Sequence, residues 1–185
     1  MTMRLGIREL QFKLETQLEE AITADPEWLE GANWGKPRPG HPEGKVIFHI
    51  RDVFDNIDYF FDSKAYDRSD LRLIALIHDT FKYQTTHLES SSTKPSHGYF
   101  ARKFAERYIS EANILQVIEL HDEAYKAWRL MFRHTDPEAA EKQARELIIQ
   151  LGQNLDLFLR FYLCDNQTGD KSTTHYEWFK ELAKK

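Results

Sequence analysis

The chain has 185 residues, with 25 Lys and Arg against 30 Asp and Glu, and a formal net charge of −5 with the histidines neutral. The basic residues are scattered among acids, which argues against stable nucleic-acid binding, although a metal ion and one or two lysines can still attract a phosphate. The single Cys164 excludes an internal disulfide and a CxxC zinc site. With no N-terminal signal and no apolar run near the roughly 18 to 20 residues of a membrane span, we expect a soluble cytoplasmic protein that does not bind membranes.

The sequence contains no repeat, no low-complexity segment and no interior linker, and this predicts a single domain over residues 1–185. The spacing of apolar residues is helical almost throughout. A first helix is predicted over residues 6–24, ended by Pro26. A loop rich in Gly and Pro follows over residues 31–44.

Two further helices carry the first inward-facing polar residues. From Lys45 to Phe61, the apolar spacing places His49 on or beside the buried stripe. Ser69 and Asp70 are predicted to cap the next helix, LRLIALIHDTFKY, which carries an adjacent His-Asp pair near its end. The polar segment 84–95 is then predicted to be a loop that could act as a lid.

Later helices place additional polar residues on apolar faces. His121 shares a face with Ile114 and Val117, and Asp165 continues the spacing of Phe161. Asp136 is predicted to cap one of these helices, with a proline at the first helical position. The predicted segments are 96–109, 111–132, 137–151, 154–166 and 174–184.

Buried imidazoles and carboxylates need partners, and a shared divalent metal ion satisfies several of them at once. A mixed nitrogen and oxygen ligand set favours a transition metal: manganese, iron, nickel, cobalt or zinc, as one or two ions. Near a helix end the adjacent pair His78-Asp79 can diverge, which would let Asp79 bridge two ions. The predicted ligands are His49, His78, Asp79, His97, His121 and Asp165.

The order His49, His78-Asp79, Asp165 on helices resembles the ligand set of the HD-domain superfamily of metal-dependent phosphohydrolases, over about residues 41–170. The stretch from His41 to His49, HPEG-x-V-x-x-H, resembles the opening motif of HD domains attached to tRNA nucleotidyltransferases. The resemblance implies an all-α, single-domain helical bundle with a buried metal site. It also implies hydrolysis of a small phosphorylated molecule by a metal-bound hydroxide, with a nucleotide favoured over a sugar phosphate.

The resemblance leaves the number of metal ions open. In one interpretation His49, His78, Asp79 and Asp165 hold one ion, and two further histidines, His97 and His121, hydrogen-bond the substrate phosphate. In the other, those two histidines and Asp79 hold a second ion.

The catalytic residues implied by the resemblance are Asp79 and Lys82. Lys82 completes an HD-x-x-K pattern, in which the lysine helps hold the phosphate, whereas some 5'-nucleotidase members carry a glutamate there. Glu43 and Lys171 are further candidates for substrate contact. A general acid is not evident from the sequence, and Glu43, Asp122 and Glu123 are its candidates.

The remaining histidines and the tryptophans are assigned no direct role. They are His41, His87, His134 and His175, and Trp28, Trp34, Trp128 and Trp178, which are expected to be packing aromatics.

Two other functions compete with hydrolysis. A di-iron oxygenase on the same scaffold would use dioxygen, and metal identity distinguishes it from a hydrolase. A non-catalytic nucleotide-binding regulatory module is expected to show a damaged ligand set, whereas this set is intact. The oligomeric state stays open, because apolar positions in the first and last helices could pack on the core or on a second copy.

Overall fold

The computed structural model describes residues 12–62, 65, 67–85, 95–133 and 135–185. Within these ranges all regular secondary structure is helical apart from one isolated bridge between Arg38 and His41, which confirms the all-α prediction. The helices are α1 Gln17–Ala24, α2 Pro26–Ala32, α3 Val46–Phe60, α4 Arg68–Ile77, α5 Lys82–Thr85, α6 His97–Ala105, α7 Ala112–Leu120, α8 Glu123–Arg133, α9 Pro137–Leu151, α10 Leu155–Asn166 and α11 Thr174–Ala183. A 3₁₀ turn, Gly152–Asn154, joins α9 to α10.

The first predicted helix is shorter than its apolar spacing indicated. The first eleven residues of the chain lie outside the described part, and α1 starts only after Thr16. Thr16 and Glu19 form a reciprocal capping box, which satisfies the first amides and sets the start of the helix there. Pro26 does follow the end of α1, but it also opens α2, with Asp25 as the N-cap.

The helix that carries the His-Asp pair begins earlier and ends earlier than predicted. Ser69 and Asp70 are not its caps, because α4 already begins at Arg68. The Arg68 guanidinium pairs with Glu15 and Asp58 at that end. At the other end α4 stops at Ile77, and residues 78–81 form a turn before the short α5.

The predicted helix over residues 111–132 is also interrupted. His121 and Asp122 form a turn between α7 and α8. Elsewhere the predicted bounds hold within a few residues, and Asp136 caps α9 as expected by accepting a hydrogen bond from the Ala139 amide. The predicted lid segment lies mostly in residues 86–94, outside the described part of the chain.

Helix α4 lies at the centre of the core. Leu71, Ile74 and Leu76 have no exposed side-chain surface, and the helix packs against α3, α7 and α10. Because α4 is enclosed by neighbouring helices, the turn at its C-terminal end is buried among them. Across the described residues, no helix combines the length and the apolar character needed to cross a membrane.

Candidate metal centre

Four of the predicted ligands meet where α3, α10 and the end of α4 converge. The Nε2 atom of His49 lies 2.9 Å from Asp165 Oδ1, 3.3 Å from His78 Nε2 and 3.5 Å from Asp79 Oδ2. The Nε2 atom of His78 lies 3.6 Å from the same Asp79 oxygen. Both histidine side chains are almost completely buried. Two imidazole nitrogens and two carboxylate oxygens therefore face one small volume.

The other oxygen of Asp79 faces a second pair of histidines. Asp79 Oδ1 lies 3.3 Å from His121 Nε2 and 3.5 Å from His97 Nε2, and these two nitrogens are 3.0 Å apart. Asp79 thus stands between two groups of nitrogen ligands, with one carboxylate oxygen on each side. Both groups have donor atoms close enough together to hold one cation each.

The two helix ends also fix which nitrogen of each ring faces the centre. His78 Nδ1 lies 3.0 Å from the carbonyl of Ala75, and His121 Nδ1 lies 2.8 Å from the carbonyl of Ile118. A carbonyl only accepts hydrogen bonds, so each Nδ1 carries the proton. When the ring is neutral, its Nε2 lone pair is left facing Asp79, as metal coordination requires.

A close approach of α6 to α7 brings the second histidine pair together. A side chain at Gly98 would place its Cβ 2.2 Å from the Glu119 carbonyl oxygen. Glycine at this position lets the two backbones touch directly. His97, the neighbour of this glycine, then reaches His121 at the end of α7.

Burial and neighbouring charges set the protonation of these groups. Burial lowers the pKa of His78 to about 3, and burial with the nearby Lys171 lowers that of His49. Burial would also lower the pKa of His121, but the Asp79 carboxylate outweighs burial and raises it. Although burial opposes ionisation of Asp79, a neighbouring lysine and the histidines hold its pKa well below the usual range. At neutral pH the centre therefore combines the neutral imidazoles of His49 and His78 with an ionised Asp79 carboxylate, whereas His121 keeps its second proton to a higher pH than an ordinary histidine.

Each ligand carboxylate also contacts a lysine. Lys82 Nζ lies 2.5 Å from Asp79 Oδ2, and Lys171 Nζ lies 3.0 Å from Asp165 Oδ1. Both ammonium groups therefore contact oxygens that face His49 and His78, where they compensate buried negative charge.

Glu43 lies next to His49, on the side of the ring that faces away from the centre. Its Oε1 atom accepts a hydrogen bond from His41 Nδ1 at 2.8 Å and lies 3.6 Å from His49 Nδ1. His41 lines the cavity beside the centre, whereas Glu43 does not. Glu43 thus faces the Nδ1 side of the His49 ring, on the opposite edge from Nε2.

A cavity of about 560 Å³ opens onto the centre at Asp79, His121 and Asp165. Its lining also contains residues from the loop before α3 and from the loop between α10 and α11. Its charged lining residues are Arg38, Lys82, Arg129, Lys171, Asp79, Asp122, Asp165 and Asp170. Its rings are His41, His121, His175, Tyr125, Tyr162 and Trp128.

The donor set fits a divalent transition metal. Asp79 Oδ1 is buried and accepts no well-formed hydrogen bond from any described residue, although two imidazole nitrogens stand close to it. An ionised oxygen left without a donor in such a place needs a cation. Imidazole nitrogen together with carboxylate oxygen is the combination that zinc, iron, manganese, nickel and cobalt accept.

A family model for the HD domain matches residues 45–151, more than half of the chain. The chain belongs to the HD-domain family. No curated protein and no solved structure gives a significant match. HD domains bind divalent metals, and membership indicates a hydrolase-type activity that depends on them. Asp165 lies beyond the matched segment, and its 2.9 Å distance from His49 Nε2 is what associates it with the HD centre.

Several residues assigned no role from the sequence lie at this HD centre or its cavity. Asp122, predicted only as a candidate general acid, also lines the cavity, and the second His-Asp dipeptide at a helix end, His121-Asp122, was the available signal for its position. His175 is buried in α11, where its Nδ1 is 2.6 Å from the Tyr162 hydroxyl. His41 lies between Glu43 and the cavity. His87 and His134 fall outside the described residues.

Proposed function

We propose that this protein is a metal-dependent phosphohydrolase that acts on a small phosphorylated molecule, and that this molecule is a nucleotide. The observation that carries the proposal is the position of Asp79, whose two carboxylate oxygens face two separate histidine pairs at the floor of a cavity. This arrangement supports a two-metal centre, in which a carboxylate is shared.

In this proposal His49, His78, Asp79 and Asp165 hold one ion, and Asp79, His97 and His121 hold the other. Bound there, divalent metal ions supply Lewis acidity toward phosphoryl oxygens and lower the pKa of water. The Nδ1 hydrogen bonds of His78 and His121 keep their Nε2 lone pairs directed at the centre.

The charge of the cavity supports an anionic substrate that binds after the metal. Among its described lining residues, four are basic and four are acidic, so these side chains alone have no excess of positive charge. Divalent ions at the floor would make the balance positive and favour a phosphate.

Two lysines in this proposal contact the phosphate. Lys82 and Lys171 both line the cavity, and each has its Nζ beside a ligand carboxylate. When a metal ion shares the charge of these carboxylates, the ammonium groups remain at the floor, where they can donate hydrogen bonds to phosphate oxygens. We assign Glu43 the role of orienting the His49 ring and not that of contacting the substrate, because its carboxylate lies on the Nδ1 side of that ring.

Elemental analysis of the freshly purified protein, with phosphate release from a nucleotide panel on the same samples, tests the proposal. The matched variants are Asp79→Asn and Asp55→Asn, since Asp55 is exposed on α3. We expect one or two equivalents of a transition metal, with metal content and phosphate release both lost in Asp79→Asn and kept in Asp55→Asn.

The other outcomes discriminate the competing functions. About two equivalents of iron without phosphate release would indicate an oxygenase on this scaffold. Bound metal without turnover of any kind would indicate a regulatory module. Absence of metal from the wild type, even after it is added back, would overturn the metal centre itself.

A further inference from the structure

Helix α8 forms one side of the cavity. Tyr125, Trp128 and Arg129 lie three and four residues apart, on one face of this helix, and all line the cavity. Asp122, immediately before the helix, lines it as well. Two aromatic rings therefore border the same cavity as the metal centre.

The distribution of side chains on α8 is the reverse of what packing alone favours. Its small residues Ala124 and Ala127 have no exposed surface, whereas Tyr125 and Trp128 are only partly buried. Large aromatic rings contribute the most when they are buried in the core. Their position on the cavity wall points to contact with a ligand there.

The two rings lie nearly parallel and stack on each other. Tyr125 and Trp128 have centroids 6.0 Å apart and planes inclined by 21°. Inserting a flat base between them would need about 7 Å, two contacts of about 3.5 Å each. A base can therefore lie only against an outer face. His175 packs against both rings, at 4.9 Å from Tyr125 and 5.4 Å from Trp128, which holds them in place.

We propose that Tyr125 and Trp128 form a stacking platform for the base of a mononucleotide whose phosphate lies at Lys82 and Lys171. This inference rests on the proposed function, since the phosphate end is the centre described above. A cavity of about 560 Å³ lies within the range of roughly 300–1,000 Å³ for small-molecule sites. A sugar phosphate has no aromatic base to stack on the two rings.

The test compares a nucleoside 5'-monophosphate with ribose 5-phosphate, which has the same sugar phosphate but no base. Binding to zinc-loaded protein is measured by saturation-transfer NMR, which detects weak binding and reports which ligand protons contact the protein. The variants are Trp128→Leu, which keeps apolar volume but removes the ring, and Trp128→Phe. Trp178→Phe is the control, because Trp178 is also partly buried but packs on the core away from the cavity.

We expect the base protons to receive the strongest saturation. The nucleotide should bind roughly 5- to 150-fold more tightly than ribose 5-phosphate, the range for stacking one base on an aromatic side chain. Trp128→Leu should remove most of this difference, Trp128→Phe should keep most of it, and Trp178→Phe should leave it unchanged. Equal binding of the two ligands by the wild type, no nucleotide binding, or an unchanged difference in Trp128→Leu would each overturn the platform.

Phosphate release measured on the same samples separates this inference from the proposed function. Base-dependent binding without phosphate release would retain the platform and overturn the hydrolase. Equal phosphate release from both ligands, with no effect of Trp128→Leu, would retain the hydrolase and overturn the platform.

Discussion

His78 and His121 occupy equivalent positions at the ends of two different helices. Each residue immediately follows the last residue of its helix, and each donates its Nδ1 proton to the carbonyl three residues earlier. Carbonyls in the last turn of a helix lack intrahelical partners. The helix ends thus supply the hydrogen-bond acceptors that orient both rings toward Asp79.

Replacing Lys82 by Met should reduce kcat without removing metal. Loss of one donor that stabilises developing charge typically costs about 10²- to 10³-fold, and the metal ligands are untouched. Phosphate release and metal content are measured together, with the exposed Lys103→Met as the control. Wild-type turnover in Lys82→Met would show that this ammonium does not act on the phosphate.

Glu43→Gln should weaken metal binding by roughly 10- to 100-fold, the usual effect of changing a group that orients a ligand. The carboxylate faces His49 Nδ1 and favours the tautomer whose Nε2 lone pair faces the centre. Competition with a chromophoric chelator measures the affinity, and the exposed Glu20→Gln is the control. Equal affinities of the two variants would contradict this role.

Gly98→Ala should separate α6 from α7. The added Cβ would meet the Glu119 carbonyl oxygen at 2.2 Å, and overpacking of this kind costs about 1–3 kcal/mol of unfolding free energy. Metal binding by His97 and His121 should be weakened most. Gly152→Ala is the matched control, because its positive φ costs stability with open space around it. Urea unfolding should therefore show a loss of stability in both variants, whereas metal stoichiometry should fall only in Gly98→Ala.

Arg72→Met should destabilise the fold by about 3–5 kcal/mol, since it leaves a buried carboxylate without its partner. Arg72 Nε lies 2.7 Å from Glu19 Oε1, and both side chains are almost fully buried. Arg145 makes a similar contact with Glu141, at 2.6 Å, but on the surface, where such a pair contributes about 0–1 kcal/mol. Equal loss of unfolding free energy in Arg72→Met and Arg145→Met would refute the distinction.

The metal-free protein should lose stability as the pH falls from about 7 to about 5. His78 has a pKa of about 3 in the folded state. The unfolded chain takes up a proton near the ordinary pKa of about 6.5, before the folded state does, and this favours unfolding by up to about 1.4 kcal/mol per pH unit. The lowered pKa values of His49 and His97 act in the same direction, and the raised pKa of His121 opposes them. Urea unfolding in EDTA measures this slope, which His78→Gln should reduce; an unchanged slope in this variant would contradict the assignment.

The helical class, the family and the approximate bounds of α3, α9, α10 and α11 were predictable from apolar spacing and from the motif around His78-Asp79. These features are local, because a periodic apolar face and a short motif each depend only on the residues of one segment. The inward direction of His49 and His121 followed from the same periodicity, and both are buried.

The interruptions after Ile77 and Leu120 were not predictable, because the residues that follow continue the helical spacing of apolar side chains. Packing against helices distant in sequence decides where each helix stops, and therefore which side of Asp79 faces which histidine. The placement of Trp128 at the cavity has the same origin: periodicity predicts that a tryptophan is inward, but whether it meets the core or a cavity depends on what the other helices leave unfilled.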